Sequence, residues 1–103
     1  MTNVEQVEKW YAAQGERLAR QCSVLRINTL MPLDETRGKA AIAVETGSTL
    51  ASVTFWNAGD VEVLTVDKAT RKESTLDDRV LTPADNIESL LNRYFQQIIE
   101  PAV

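Results

Sequence analysis

Histidine does not occur in the chain, and cysteine occurs once, at Cys22. Without imidazole there is no Ser-His or Cys-His nucleophile pair and no His-ligated metal site within one chain. A single thiol closes no internal disulfide, which fits a reducing compartment. At the end of a helical segment, Cys22 reads as a small buried hydrophobe. The glycines, Gly15, Gly38, Gly47 and Gly59, stand apart from one another, so there is no Gly-rich phosphate loop. No apolar run approaches the roughly 18 residues of a membrane span. The start, MTNVEQVEKW, is polar and acidic and lacks the apolar stretch of a secretory signal. The expected location is the cytoplasm, with no membrane partner.

What is present suits one folded unit. Hydrophobic residues make up 44% and charged ones 25% of 103 residues, and a single domain spanning 1–103 is expected. A chain of this length buries roughly two-thirds of its unfolded surface, enough for one core. Lys and Arg number 11 against 15 Asp and Glu, a net charge of −4. Nucleic acid is therefore not an expected partner, since phosphate binding calls for a basic patch.

The best-specified stretch is Leu50 to Val66, LASVTFWNAGDVEVLTV. Ala51, Val53 and Phe55 alternate with Ser52, Thr54 and Trp56, the period of a strand. Asn57-Ala58-Gly59-Asp60 supplies turn chemistry, and Val61, Val63, Leu64 and Val66 restart a strand. With the turn centred on Ala58-Gly59, Trp56 is expected opposite Val61, Thr54 opposite Val63 and Val53 opposite Leu64.

Before this hairpin, Val4, Val7, Trp10, Tyr11 and Leu18 recur at helical steps, so Thr2 to about Cys22 reads as a helix with Thr2 or Asn3 as N-cap. Ser23 to Leu30 and Lys39 to Glu45 read as strands, separated by a loop from Met31 to Gly38. After the hairpin, Asp67 to Leu81 is dense in charge. A turn at Lys68 to Thr70 and a short edge strand around Glu73 to Leu76 fit it best. The last segment has Thr82 as N-cap, Pro83 in the first turn and Asp85 at capping-box spacing. Ile87, Leu90, Leu91, Tyr94, Phe95, Ile98 and Ile99 follow as one apolar stripe, and Pro101 stops it.

The expected fold is α+β: an antiparallel meander sheet of 4–5 strands, with N-terminal and C-terminal helices packed on one face. Ile27, Ile42, Val44, Val53, Phe55 and Leu64 are expected under the helices. Ser52, Thr54, Trp56, Val61, Val63 and Thr65 are expected on the other face. That second face is only half polar, so it is expected to be partly covered or to bind something.

Little in the chain resembles catalytic equipment. Asp77-Asp78, Asp60/Glu62 and Asp34-Glu35 are paired carboxylates, but neighbouring acids in turns read first as solvated surface. No loop offers oxygen ligands at alternate spacing for Mg²⁺ or Ca²⁺. No catalytic residue, cofactor or metal ligand is assigned, and no enzyme activity is expected. Trp10 lies on the helix stripe and reads as core. Trp56 reads either as a cross-strand packing residue beside Val61 or as an aromatic anchor for a protein partner, flanked by Asp60, Glu62 and Glu45.

The run LASVTFWNAGDVEVLTVDKATRKES resembles the TriTu family of bacterial immunity proteins. The likeness lies in Leu50, Ala51, Val53, Thr54, Trp56 and Gly59, then in Glu62, Val63, Leu64, Val66 and Asp67. The element order and an amphipathic last helix with Tyr94-Phe95 also match. The chain departs from the pattern at Ala69-Thr70-Arg71-Lys72, where a glycine belongs in the turn. The resemblance implies a cytoplasmic protein that binds the C-terminal domain of a cognate toxin and neutralises it by steric occlusion. The expected contact residues are Glu45, Thr54, Trp56, Asp60, Glu62 and Val63. Two other readings fit the composition: a secretion chaperone or adaptor, which would hold a client segment and commonly dimerise, and a small ligand-binding α+β domain, which would need a deep polar pocket.

Overall fold

The computed structural model describes residues 1–31 and 35–99. The elements are α1 (Asn3–Ala19), β1 (Val24–Leu30), a 3-10 turn (Glu35–Arg37), β2 (Lys39–Glu45), β3 (Thr49–Trp56), β4 (Asp60–Asp67), β5 (Glu73–Val80) and α2 (Ile87–Ile99). The strands pair in chain order as one five-stranded antiparallel meander. Both helices lie on one face of it. Val4, Val7, Trp10 and Leu18 of α1 share a core with Ile87, Leu90, Leu91, Tyr94, Phe95 and Ile98 of α2. Beneath them the strands supply Ala40, Ile42, Val44, Ala51, Val53, Phe55, Val61 and Val63.

Local chemistry fixes the start of α1. Thr2 is the N-cap, with a reciprocal capping box to Glu5. The β3–β4 turn then holds that end in place. Asn57 Oδ1 accepts from Val4 N at 2.9 Å, and Asn3 Nδ2 donates to Trp56 O at 3.1 Å. Trp10 is buried, as its place on the stripe implies. Its Nε1 donates to Asn92 Oδ1 at 2.9 Å, and its ring lies 5.1 Å from that of Phe95.

The β3–β4 register is one residue out of step with the sequence expectation. Phe55 pairs with Val61, Thr54 with Glu62 and Val53 with Val63. The turn explains the difference. Gly59 N donates to Trp56 O at 3.0 Å, and Gly59 has a φ of 114°. Asn57, Ala58 and Gly59 thus form a β-turn extended by one positive-φ residue, where two loop residues were expected. One added residue sends every later side chain of β4 to the opposite face. Val61 and Val63 are therefore fully buried under the helices, and Leu64 lies on the far side.

The first helix ends at Ala19, short of the expected Cys22, and two further differences are at the C-terminal end. β5 runs to Val80, longer than the expected edge strand, with an irregularity opposite Val63/Leu64. The last helix begins at Ile87, and Pro83 lies in a preceding turn closed by Asp85 N to Thr82 O at 3.0 Å. Asn86 is its cap, accepting from Ser89 N at 2.9 Å. The Asp85 carboxylate is engaged elsewhere, by Thr82 N and by Arg79. Pro101 and the Asp34 half of the Asp34-Glu35 pair lie outside the described residues.

The β4–β5 turn contains no glycine and is held by side-chain bonds. Asp67 Oδ1 accepts from Ala69 N and Thr70 N, both at 2.9 Å, and these bonds hold the Asp67 carboxyl below its usual range, the Thr70 amide contributing most. Arg71 takes the left-handed position, with φ of 60°. A side chain there is strained where glycine is not. Arg71→Gly is expected to stabilise the protein by about 0.5–1 kcal/mol, raising Tm by a few degrees in a thermal melt; a lowered Tm would mean that the Arg71 side chain contributes more than its backbone costs.

Candidate functional site

The face of the sheet opposite the helices is built from the alternate residues of every strand. Register aligns Val24, Glu45, Leu50, Val66 and Glu73 across one end. Near the other end it aligns Asn28, Ala41, Thr54, Glu62 and Asp78. No described element lies over this face. At the first end, Val24, Leu50, Leu64 and Val66 line a shallow depression of about 500 Å³, with Arg26, Glu45 and Glu73 on its rim. Val24 and Leu50 are exposed, and Leu64 and Val66 are half-buried. At the second end Trp56 is half-buried beside Lys39, its register partner.

The expected contact residues divide accordingly. Thr54, Trp56, Asp60 and Glu62 share the second end of the open face. Glu45 lies on the same face at the first end, six residues along β2 from the Lys39 that faces Trp56, or about 20 Å of strand. It is not beside Trp56, and its carboxylate pairs with Lys68 Nζ at 2.8 Å. Val63 is on the other face with no exposed area and cannot touch a partner in the folded state. Leu64, Leu50, Val66 and Val24 take the place intended for it. The signal that would have found them is the glycine in third place of a three-residue turn, which sets the side on which β4 resumes.

Electrostatics sharpen the second end. Leu81 N donates to Gly59 O at 2.7 Å, so by antiparallel alternation Glu62 and Asp78 form a non-hydrogen-bonded pair. Side chains approach most closely at such pairs, and like charges directly opposite one another repel. Among the described residues, Asp60, Glu62 and Asp78 have no cation partner. The helices differ: they expose Glu5, Glu8, Glu16 and Glu88 against Lys9, Arg17, Arg20 and Arg93. The open face carries Glu45, Asp60, Glu62, Glu73 and Asp78 against Arg26 and Lys39, with Lys68 reaching Glu45 from a turn. Negative charge is thus concentrated on the uncovered side.

Both edges of the sheet are partly closed. The bond from Thr46 N to Thr49 O at 2.8 Å sets the alternation in β2, which leaves the backbone groups of Leu25 and Ile27 in β1 pointing outward. Tyr11 Oη donates to Leu25 O at 3.3 Å and occupies one of them. On β5 the outward amide of Asp78 is taken by Asp77 Oδ1 at 3.0 Å, and the strand carries charges and an irregularity. Such features disfavour growth by strand addition.

A polar cluster on the helix side joins β5 to α2. The Tyr94 hydroxyl donates to Asp77 Oδ2, which also accepts from Arg79 Nε at 3.0 Å, while Arg79 Nη1 reaches Asp85 Oδ2 at 2.9 Å. Burial opposes ionisation of Asp77, but the bonds from Tyr94 and Arg79 outweigh it and hold the carboxyl below its usual range. Asp85 is held low first by the Thr82 amide and then by Arg79. Burial, then the Asp77 carboxylate, pushes the Tyr94 hydroxyl up to about 12. Burial also raises the Cys22 thiol, which lowers its nucleophilic fraction. Among the described residues, no group of His, Cys, Asp and Glu is placed to hold a metal ion, and no helix is long and apolar enough to cross a membrane.

Neither family models, nor curated proteins, nor solved structures give a match to this chain.

Proposed function

We propose that this protein acts by binding, as an immunity protein that neutralises a cognate toxin domain by covering it. The observation that carries the proposal is the open sheet face. A helix-backed surface presents an apolar depression at one end, and at the other an aromatic ring beside carboxylates that have no cation partner among the described residues. Interfaces of this kind place apolar and aromatic anchors at the centre and charge at the rim. The contact residues in this reading are Thr54, Trp56, Asp60 and Glu62, joined by Leu50, Leu64 and Val66, with Glu45 at the far rim. The molecule works in the cytoplasm, has no catalytic step and takes no cofactor.

The test is co-expression with the C-terminal domain of a large secreted protein encoded immediately beside it. Growth should be restored, and the two chains should co-elute as one complex. Trp56→Ala should weaken that complex by about 2 kcal/mol, roughly thirtyfold in Kd, without loss of fold. A chain that forms an obligate dimer and rescues growth from no neighbouring toxin would instead favour the chaperone reading.

A further inference from the structure

We infer that the open face takes a basic amphipathic segment of a protein partner, with an apolar side chain in the Leu50–Leu64–Val66 depression and Lys or Arg side chains over Asp60, Glu62 and Asp78. This rests on the reading that the open face binds protein, and it adds the chemistry of what docks there. Charge complementarity carries it. The uncovered face holds the excess of carboxylates, whereas the helices expose acids and bases in equal number. Within that face, Glu62 and Asp78 oppose each other in register with no counter-cation among the described residues. The fold therefore tolerates a repulsion that a partner's cation would relieve, and the relief adds to binding and not to folding.

Spacing narrows the partner further. Leu64, Glu62 and Asp60 point to the same side of β4 at two-residue steps, so the carboxylates lie about 7 and 13 Å from the apolar anchor. A helix rising about 1.5 Å per residue covers those distances in four and eight or nine residues. A helix along β4, with an apolar anchor and basic residues one and two turns away, meets the face. An acidic or purely apolar segment does not.

The probe is a displayed library of random sixteen-residue peptides, selected against the folded protein and counter-selected against the Leu64→Asp variant. Enriched peptides should combine an apolar residue with Lys or Arg at one- and two-turn spacing. They should shift the backbone NMR signals of Leu50, Leu64, Glu62 and Asp78, and lose about tenfold or more in affinity on Glu62→Gln with Asp78→Asn. In the free protein at low salt, Glu62→Gln alone should raise Tm by about 1–4 °C. Enrichment of acidic or neutral peptides, binding at the helices, or no enrichment would overturn the inference. So would a dimer dissociated by Leu64→Asp, which would mean that a second copy covers the face. A Glu62→Gln variant that loses stability and peptide affinity together would assign Glu62 to the fold and reject the stored repulsion. A toxin neutralised through an acidic contact would leave the immunity reading standing and remove this one; peptide selection as described, with no toxin neutralised, would do the reverse.

Discussion

Val63→Asp is expected to unfold the protein, and Leu64→Asp, one residue later, is expected to leave it folded. Val63 has no exposed area and sits in the core shared by both helices. A carboxylate there finds no cation in that core, and with the lost apolar burial the cost is at least about 4 kcal/mol. Small domains are stable by only about 5–15 kcal/mol, and a 103-residue chain sits toward the low end of that range, so a large part of the margin goes. Leu64 is half-buried on the open face, where a carboxylate reaches water, so the change should cost about 1 kcal/mol or less. Circular dichroism melts of the two variants decide the matter. Loss of the cooperative transition in Leu64→Asp and its survival in Val63→Asp would reverse the facing of β4, and with it the identity of the binding surface.

Asp77→Ala should be the next most damaging change, at about 2–4 kcal/mol, because it leaves the buried Tyr94 hydroxyl without its acceptor and removes one of the two carboxylates on Arg79. The Asp77 side chain retains only 15% of its exposure, so water is a poor substitute. The cluster also predicts the pH profile. Asp77 has its folded pKa below the ordinary 3.8, so its contribution is complete above that value and is lost as pH falls further. Tyr94 moves the opposite way, from 10.0 to about 12, so its contribution is complete below pH 10 and is lost as pH rises towards 12. Urea titrations across pH should show both limbs in the parent protein. Tyr94→Phe should flatten the alkaline limb while leaving much of the acid limb, which Arg79 also sustains. An alkaline limb unchanged by Tyr94→Phe would place its origin elsewhere.

These two sites explain why one face is available for a partner. The Asp77 cluster anchors the charged strand β5 to α2, so its polar inner side needs no cover from outside. Val61 and Val63 commit the rest of that side to the core. What remains for recognition is the side where Glu62, Leu64 and Val66 alternate with them.

The stripe of the last helix was legible from Ile87 onward, and the capping box at Thr2 from its spacing with Glu5, because each is satisfied inside a few consecutive residues. The capping pattern at Thr82 misled for the same reason. Its local bonds form, yet Arg79 claims Asp85 from another element, and the helix starts later, at Ile87, with Asn86 as its cap. Of the expected contact residues, Thr54, Trp56, Asp60 and Glu62 were placed together, Glu45 was placed too near, and Val63 on the wrong side.

The order of the elements, the one-sided core and the acidic balance were determined by sequence alone, since periods of two and 3.6 are carried within each segment. Only the tertiary structure decided which half of β4 faces outward, and so which residues meet a partner. That choice passes through Gly59, where one added loop residue with positive φ costs little locally but inverts the facing of the whole strand.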